Sequence, residues 1–334
     1  MSGEERLVVE DLKVRFDSDD GTVLAVNGVS FSVGPGGVVA LVGESGCGKS
    51  VTAMALLGLL PATATRSGSV RLEGRDISDL GPKQLREIRG RDMSMIFQEP
   101  MTSLNPAFTV GFQIGEVLRR HVGLSRKDAR VRAVELLDLV RIPAAEQRVD
   151  DFPHQMSGGM RQRVMIAMAV ACNPKVLLAD EPTTALDVTI QAQVLDIMRD
   201  LREQFGTSIV IITHDLGVVA DIADDVVVMY AGHVVESADA DSVFTNPQHP
   251  YTVGLLGSVP RPDLGPDSAP ERLREIPGIV PVLREQPTAC VFAPRCPRAD
   301  DECLAEMPPL AATAPGQLAA CVHPGAKAAE GAYG

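Results

Sequence analysis

Gly43-Glu44-Ser45-Gly46-Cys47-Gly48-Lys49-Ser50 is the stretch that decides the fold. An apolar run, residues 37–42, leads into it, and a helix-like run, residues 51–60, leaves it. Strand, glycine-rich loop and helix in that order give this spacing its meaning as a phosphate-binding loop rather than an ordinary strand-to-helix turn. The glycines let the backbone wrap closely around phosphate oxygens, with consecutive N–H groups turned inward as an anion nest. The helix that starts there adds its positive N-terminal end. Lys49 can reach the β- and γ-phosphates, and Ser50 can offer its hydroxyl to Mg²⁺. The chain is expected to bind a nucleoside triphosphate.

Composition narrows the partners. The 334 residues suffice for one large α/β domain with an appendage. With 45% hydrophobic and 22% charged residues, the chain can bury a sizeable core. A net charge of −13 argues against nucleic acid, whose phosphates demand a basic footprint, and against direct attraction to an anionic membrane. No apolar run reaches the length of a membrane span, and residues 1–6 are polar, without a signal-peptide core. A cytoplasmic protein that meets a membrane only through another protein is the expectation. In a reducing compartment the six cysteines do not read as a disulfide framework.

Along the chain, residues 7–16 and 22–33 read as strands joined by a turn-rich Asp-Ser-Asp-Asp-Gly. Phe16 ends the first strand, where a lone ring more often packs in the core than stacks on a base. Residues 67–72 read as a strand, 82–89 as a short helix, and 93–97 as a buried strand closed by Gln98, a candidate Mg²⁺ or water ligand. From residue 99 to about 160 the apolar spacing turns helical, as in an inserted helical lobe. Its charges, including Arg119, Arg120, Arg126, Lys127, Arg130 and Arg132, read as a solvated face. Ser157-Gly158-Gly159 opens a helix running to about Cys172 and leaves an exposed N-terminus able to hold a phosphate. Residues 176–181 read as an apolar strand ending in Asp180 and Glu181. That places Asp180 near a Mg²⁺ sphere and Glu181 where it can polarise an attacking water. Asp187 precedes a helix, residues 188–205. A β-branched strand, residues 208–213, ends at His214, which could sense a γ-phosphate. Residues 225–230 and 233–236 read as a closing hairpin around Ala231-Gly232, and from residue 245 the chain becomes proline-rich, frayed over its last dozen residues.

Taken in order, these motifs resemble the ATP-binding-cassette ATPases over residues 7–244. The resemblance narrows to oligopeptide and dipeptide importer subunits through Ile96-Phe97-Gln98-Glu99-Pro100-Met101-Thr102-Ser103-Leu104-Asn105-Pro106, Asn246-Pro247-Gln248-His249-Pro250-Tyr251-Thr252 and the late cysteines. It implies a P-loop NTPase (RecA-like) nucleotide-binding domain over residues 1–244. That domain would carry an antiparallel β subdomain and the helical insertion at about 99–160, with a cysteine-bearing C-terminal extension over residues 245–334.

Residue by residue, the resemblance makes Phe16 the adenine-stacking ring, reversing the bare preference for core packing. Ser45, Gly46, Cys47, Gly48, Lys49, Ser50 and Val51 would hold the phosphates. Ser50 and Gln98 would ligate Mg²⁺ with Asp180 behind them, Glu181 would be the general base, and His214 the γ-phosphate switch. Ser157, Gly158 and Gly159 would contact ATP held by an opposite subunit, and Asp187 would communicate across that seam. Gln98 to Leu104 would help form the groove for a coupling helix. Two chains would thus share each nucleotide, and closing and opening of the pair would move the membrane helices.

The implied partners are a second ATPase subunit, as homo- or heterodimer, two transmembrane permeases, and indirectly an extracytoplasmic binding protein. Peripheral placement on the cytoplasmic face of the membrane follows, and no nucleic acid is implied. Met156 and Met160 replace the usual Leu and Gln of the signature, Val51 a frequent Thr, and Thr184 a frequent Ser; none removes an acid, a base or a metal ligand. A soluble ABC ATPase of DNA repair or translation fits less well, because those carry long coiled-coil insertions or paired cassettes. A non-catalytic regulatory subunit conflicts with the presence of Glu181 and His214. Nickel or another solute remains an alternative cargo to peptides.

Cys290, Cys296, Cys303 and Cys321 are separated by five, six and seventeen residues, not a typical zinc-finger spacing. Four thiolates in a loop-forming segment could hold a [4Fe–4S] cluster, a reading the family resemblance supports, with zinc or unliganded thiols as alternatives. Cys172 reads as a packing residue.

Overall fold

The computed structural model describes residues 5–18, 21–99, 103–184, 186–258 and 276–325. Strands β1 (Leu7–Ser18) and β2 (Gly21–Val33) lead into β3 (Val38–Val42), every residue of which is buried. The phosphate loop and the helix Lys49–Leu56 follow. Then come β4 (Ala64–Leu72), β5 (Arg75–Asp76), the helix Pro82–Ile88 and β6 (Met93–Ile96). Helices Val110–His121, Arg126–Leu139 and Gly158–Val170 precede β7 (Val176–Asp180), the helix Val188–Phe205 and β8 (Ser208–Thr213). The chain continues through helix Leu216–Ile222, β9 (Asp225–Tyr230), β10 (His233–Asp239) and helix Pro250–Gly257 to β11 (Ala311–Ala314) and β12 (Gln317–Ala319).

These elements gather into two compact units. One is built mainly from residues 71–212, the other from residues 9–31, 39–70 and 213 onward. In the first, β6, β7 and β8 pair in parallel, Met93 opposite Val176 and Leu178 opposite Val210. Strands β7 and β8 are buried along their whole length, which is why their sequences are unbroken apolar runs rather than alternating ones. The helical insertion starts its two long helices with side-chain caps. Thr109 accepts from the Phe112 N–H, and Ser125 from that of Asp128. Arg119, Arg120, Arg126, Lys127 and Arg130 are exposed and Arg132 is half-buried, and Arg130 forms a bidentate pair with Asp150.

In the second unit, β2, β1 and β4 are sheet neighbours in that order. β3 pairs β9 in parallel, Val39 opposite Asp225 through Val42 opposite Val228. β9 turns back into β10 with His233 opposite Tyr230. The turn residues Ala231 and Gly232 have φ of +47° and +79°, the double left-handed geometry of a tight hairpin.

Two segments depart from the sequence reading. The helix after the phosphate loop ends at Leu56 rather than residue 60, because the chain reverses at Gly58 with φ +61°. The proline-rich extension holds regular structure. Pro250 occupies the first turn of a helix, where its missing N–H costs nothing. Beyond it β12 pairs β10, Glu236 opposite Ala319, with β11 outside it. Pro100, Met101, Thr102, Ala185, Pro260, Arg261, Pro262 and residues 326–334 lie outside the described residues. Among the described residues no helix is long and apolar enough to cross a membrane.

Candidate functional site

The loop from Gly43 to Ser50 is built by backbone that only glycine tolerates. Gly48 has φ +102°, and a Cβ there would lie 2.3 Å from the Ala25 carbonyl oxygen; at Gly43 it would lie 2.2 Å from that of Met229. Ser45 and Gly46 are exposed at the tip, Cys47 is fully buried beneath it, and Ser50 is half-buried at the helix start. Val51 follows in the first turn, and Phe16 is half-buried on β1. Lys49 is 6% exposed, and its Nζ donates to the carbonyls of Gly43 at 2.6 Å and Glu44 at 3.0 Å. Burial pushes the Cys47 thiol up against the opposing charge of Lys49, so it stays neutral and serves as packing.

Glu44 is fastened from three sides. Its N–H donates to Tyr251 Oη at 2.8 Å, its carbonyl accepts from Lys49, and its carboxylate takes a two-pronged contact from Arg295 at 2.7 and 2.9 Å. Arg295 also donates to the carbonyls of Ile276, Pro277 and Gly278, and its guanidinium lies 5.7 Å from the Tyr230 ring centre. Tyr230, Tyr251 and Phe292 form a buried aromatic cluster with centroids 4.8–5.3 Å apart. The turn before Tyr251 is tied down by Glu236, whose fully buried carboxylate accepts the N–H groups of Gln248 at 2.7 Å and His249 at 2.8 Å. Sequence reading passed over Arg295 and Tyr251 as site residues, since 251 and 207 positions separate them from Glu44. Their only signal was membership of the Asn246–Thr252 stretch for Tyr251 and a place beside the late cysteines for Arg295, both of which carried the family resemblance.

In the first unit, Gln98 and Glu181 come together. Gln98 Nε2 donates to Glu181 Oε2 at 3.0 Å, and Thr184 Oγ1 donates to the same oxygen at 2.7 Å. Asp180, 5% exposed, ends β7 opposite Ile212, and the Glu181 N–H donates to the Ile212 carbonyl at 2.8 Å. Glu181 has φ +46°, a left-handed conformation that a glutamate adopts only where its surroundings impose it. Ser157 caps the helix Gly158–Val170 by accepting from the Met160 N–H. Ser157 and Gly158 are exposed, while Gly159 packs near Ile190. Asp187 caps the helix Val188–Phe205 by accepting from the Ile190 N–H. His214, in the second unit, is exposed just after β8.

Cys321 lies within electrostatic reach of Cys290, Cys296 and Cys303, but among the described residues the side chains close enough to share one metal ion are Cys303, Asp300 and His323 rather than the four thiols. The Cys290 N–H donates to the Cys303 carbonyl at 3.0 Å. The Cys321 thiol is pushed up to about 11, first by burial and then by the neighbouring charge of the other three. Burial likewise raises Cys296 and Cys303. Asp300 and His323 lie beside Cys303, 2.7 Å from one another. Cys172 is half-buried.

Residues 26–184 match the ABC transporter family model, and residues 235–303 match the model of the oligopeptide/dipeptide transporter C-terminal region. The chain is 51% identical to the oligopeptide transport ATP-binding protein AppD of Bacillus subtilis over 94% of this chain and 95% of that one. It is 50% identical to OppD of Salmonella typhimurium, over 95% and 93% respectively. Among solved structures it is similar to the ATP-binding cassette MJ0796 bound to ADP and Pi, with a TM-score of 0.64 at 27% identity, covering 70% of this chain and 98% of the cassette. The chain belongs to the ATP-binding proteins of ABC transporters, in the branch that carries the oligopeptide/dipeptide C-terminal region.

Proposed function

We propose that this subunit hydrolyses ATP to drive the uptake of di- and oligopeptides. It works as a dimer with a second ATP-binding subunit on two transmembrane permeases, at the cytoplasmic face of the membrane, with an extracytoplasmic binding protein delivering the cargo. The observation that carries this reading is the union, in one chain, of a cassette match and the oligopeptide/dipeptide C-terminal region. The relatives AppD and OppD, similar over nearly their whole length, are oligopeptide transport proteins.

The residues then take these parts. Phe16 stacks on adenine, and the N–H groups from Ser45 to Val51 with Lys49 hold the phosphates. Glu181 accepts the proton of the attacking water at its carboxylate; the donors Gln98 and Thr184 fix that carboxylate's orientation. His214 contacts the γ-phosphate. Ser157, Gly158 and Gly159, at the start of their helix, close over the nucleotide of the opposite subunit, and Asp187 lies on that seam. The oxygen donors Ser50, Gln98 and Asp180 suit a hard cation and would hold Mg²⁺. When bound, the ion neutralises charge on the β- and γ-phosphates.

Cys321 lies near enough to Cys290, Cys296 and Cys303 to feel their charge, and such a set of thiols, with Asp300 and His323 beside Cys303, fits a group that binds thiolates once they are deprotonated. We read them as the ligands of a [4Fe–4S] cluster, with zinc second, serving to pin the extension. Iron, sulfide and zinc analysis of protein purified without air tests this: about four irons and four sulfides per chain are expected. Colourless, metal-free protein would overturn it.

Transport is tested by reconstituting the full complex in proteoliposomes. Peptides supplied with the binding protein are expected to stimulate ATP hydrolysis and accumulate inside. Stimulation by nickel ions and not by peptides would contradict the assignment.

A further inference from the structure

A phosphate-binding loop works by concentrating positive potential, from N–H groups, a helix N-terminus and a lysine. Here its second residue is a glutamate. A carboxylate at that place repels the polyphosphate it adjoins, and a charge pair in a partly desolvated site interacts more strongly than in water. The chain meets this with a guanidinium from far away. Arg295 Nη1 and Nη2 donate to Glu44 Oε2 and Oε1 at 2.7 and 2.9 Å, and the Arg295 side chain is only 5% exposed. The fork is held from behind by three carbonyls, those of Ile276, Pro277 and Gly278, and from the side by Tyr230. It sits in the short turn Ala293–Arg295 between Cys290 and Cys296. On the loop side, Tyr251 Oη accepts the Glu44 N–H, so carboxylate and backbone are both gripped by residues of the C-terminal region.

We propose that Arg295 is a positioning residue of the nucleotide site: by pairing with Glu44 it cancels the loop's own negative charge and fixes the loop's entry. ATP affinity then depends on the C-terminal extension being docked. The extension is more than a surface appendage, because it completes the electrostatics of a loop whose sequence alone is compromised. This rests on the assignment of residues 45–51 to phosphate binding.

The test is a charge cycle in the full-length chain, read by MgATP titration calorimetry, with Lys49→Ala as the control for the loop itself. Arg295→Gln leaves the carboxylate uncompensated and is expected to weaken MgATP binding about tenfold, with the loss in KM rather than kcat. Adding Glu44→Gln removes the offending charge and is expected to restore affinity to within about threefold of wild type. A merely structural role for Arg295 predicts no such rescue, because the double variant loses the same tether. Unchanged binding in Arg295→Gln, or a double variant as weak as the single, overturns the proposal. If Arg295→Gln does not fold, Arg295→Lys keeps the charge and loses the fork. It is expected to bind MgATP about threefold more weakly and to recover with Glu44→Gln; no weakening, or no recovery, overturns the proposal equally. If wild type and Lys49→Ala bind MgATP alike, the loop assignment itself fails, independently of Arg295.

Discussion

Gln98 Nε2 donates to Glu181 Oε2 at 3.0 Å, joining the end of β6 to the end of β7, and Thr184 Oγ1 reaches the same oxygen at 2.7 Å. Two donors on one carboxylate oxygen fix the plane of the side chain while the left-handed backbone at Glu181 fixes its root. A general base is useful in proportion to how well its lone pair is aimed. Thr184→Val removes one of these donors without changing shape. We expect kcat to fall about tenfold with KM for ATP held within about twofold. A fall in KM-governed affinity with unchanged kcat would show that Thr184 serves nucleotide binding instead.

Gly48 admits no side chain. Its φ is +102°, and a methyl group there would sit 2.3 Å from the Ala25 carbonyl oxygen, which leaves a choice between a broken loop and a displaced β2. Gly48→Ala should weaken MgATP binding by about a hundredfold or more and lower stability by about 2 kcal/mol. Calorimetry and thermal unfolding of the same sample check both, and wild-type affinity would contradict the loop geometry.

His249 is buried, accepts the Tyr251 N–H at Nδ1, and is held neutral, its pKa driven by burial from 6.5 to about 3. The unfolded chain protonates at the ordinary value, so the folded value is the lower one. The stability this provides is complete above pH 6.5 and is lost as pH falls from about 6.5 toward 3, by up to about 1.4 kcal/mol per pH unit. Glu236, raised by burial, works in the opposite sense above its ordinary 4.5. The comparison is therefore wild type against His249→Gln. Unfolding free energy measured between pH 7.5 and 5 should fall more steeply in wild type, and parallel curves would contradict the buried neutral imidazole.

Glu236 has two buried backbone N–H groups to serve, those of Gln248 and His249. Glu236→Ala should cost about 2–4 kcal/mol by leaving both without an acceptor. It should also weaken MgATP binding, because the turn it holds carries Tyr251 to Glu44. Urea unfolding and nucleotide titration separate the two effects; an ATP affinity equal to wild type would break the chain from Glu236 to the loop.

Local chemistry explains what was legible in the sequence. The phosphate loop, the parallel core strands and the hairpin at Ala231-Gly232 each announce themselves within a few residues, through glycine spacing, β-branched runs or a turn pair. Asp180 and Glu181 were readable because a strand end fixes where two adjacent carboxylates stand. The extension was not readable as structure. Its prolines suggest loops, yet Pro250 starts a helix, and the short strands β11 and β12 gain their order by pairing, β12 with β10 and β11 with β12. The Arg295–Glu44 contact was invisible for another reason: pairing across 251 positions leaves no periodic trace, and an arginine between two cysteines looks like any loop residue.

The central claim is a nucleotide pocket divided between two chains, with Glu181 as its base. The most direct measurement is the mass, in MgATP, of the Glu181→Gln variant mixed with its companion ATP-binding subunit, paired with the hydrolysis rate of the same mixture. A stable dimer that retains two ATP molecules and hydrolyses them about a thousandfold more slowly than wild type is the result expected. Monomers that turn ATP over at the wild-type rate would contradict it.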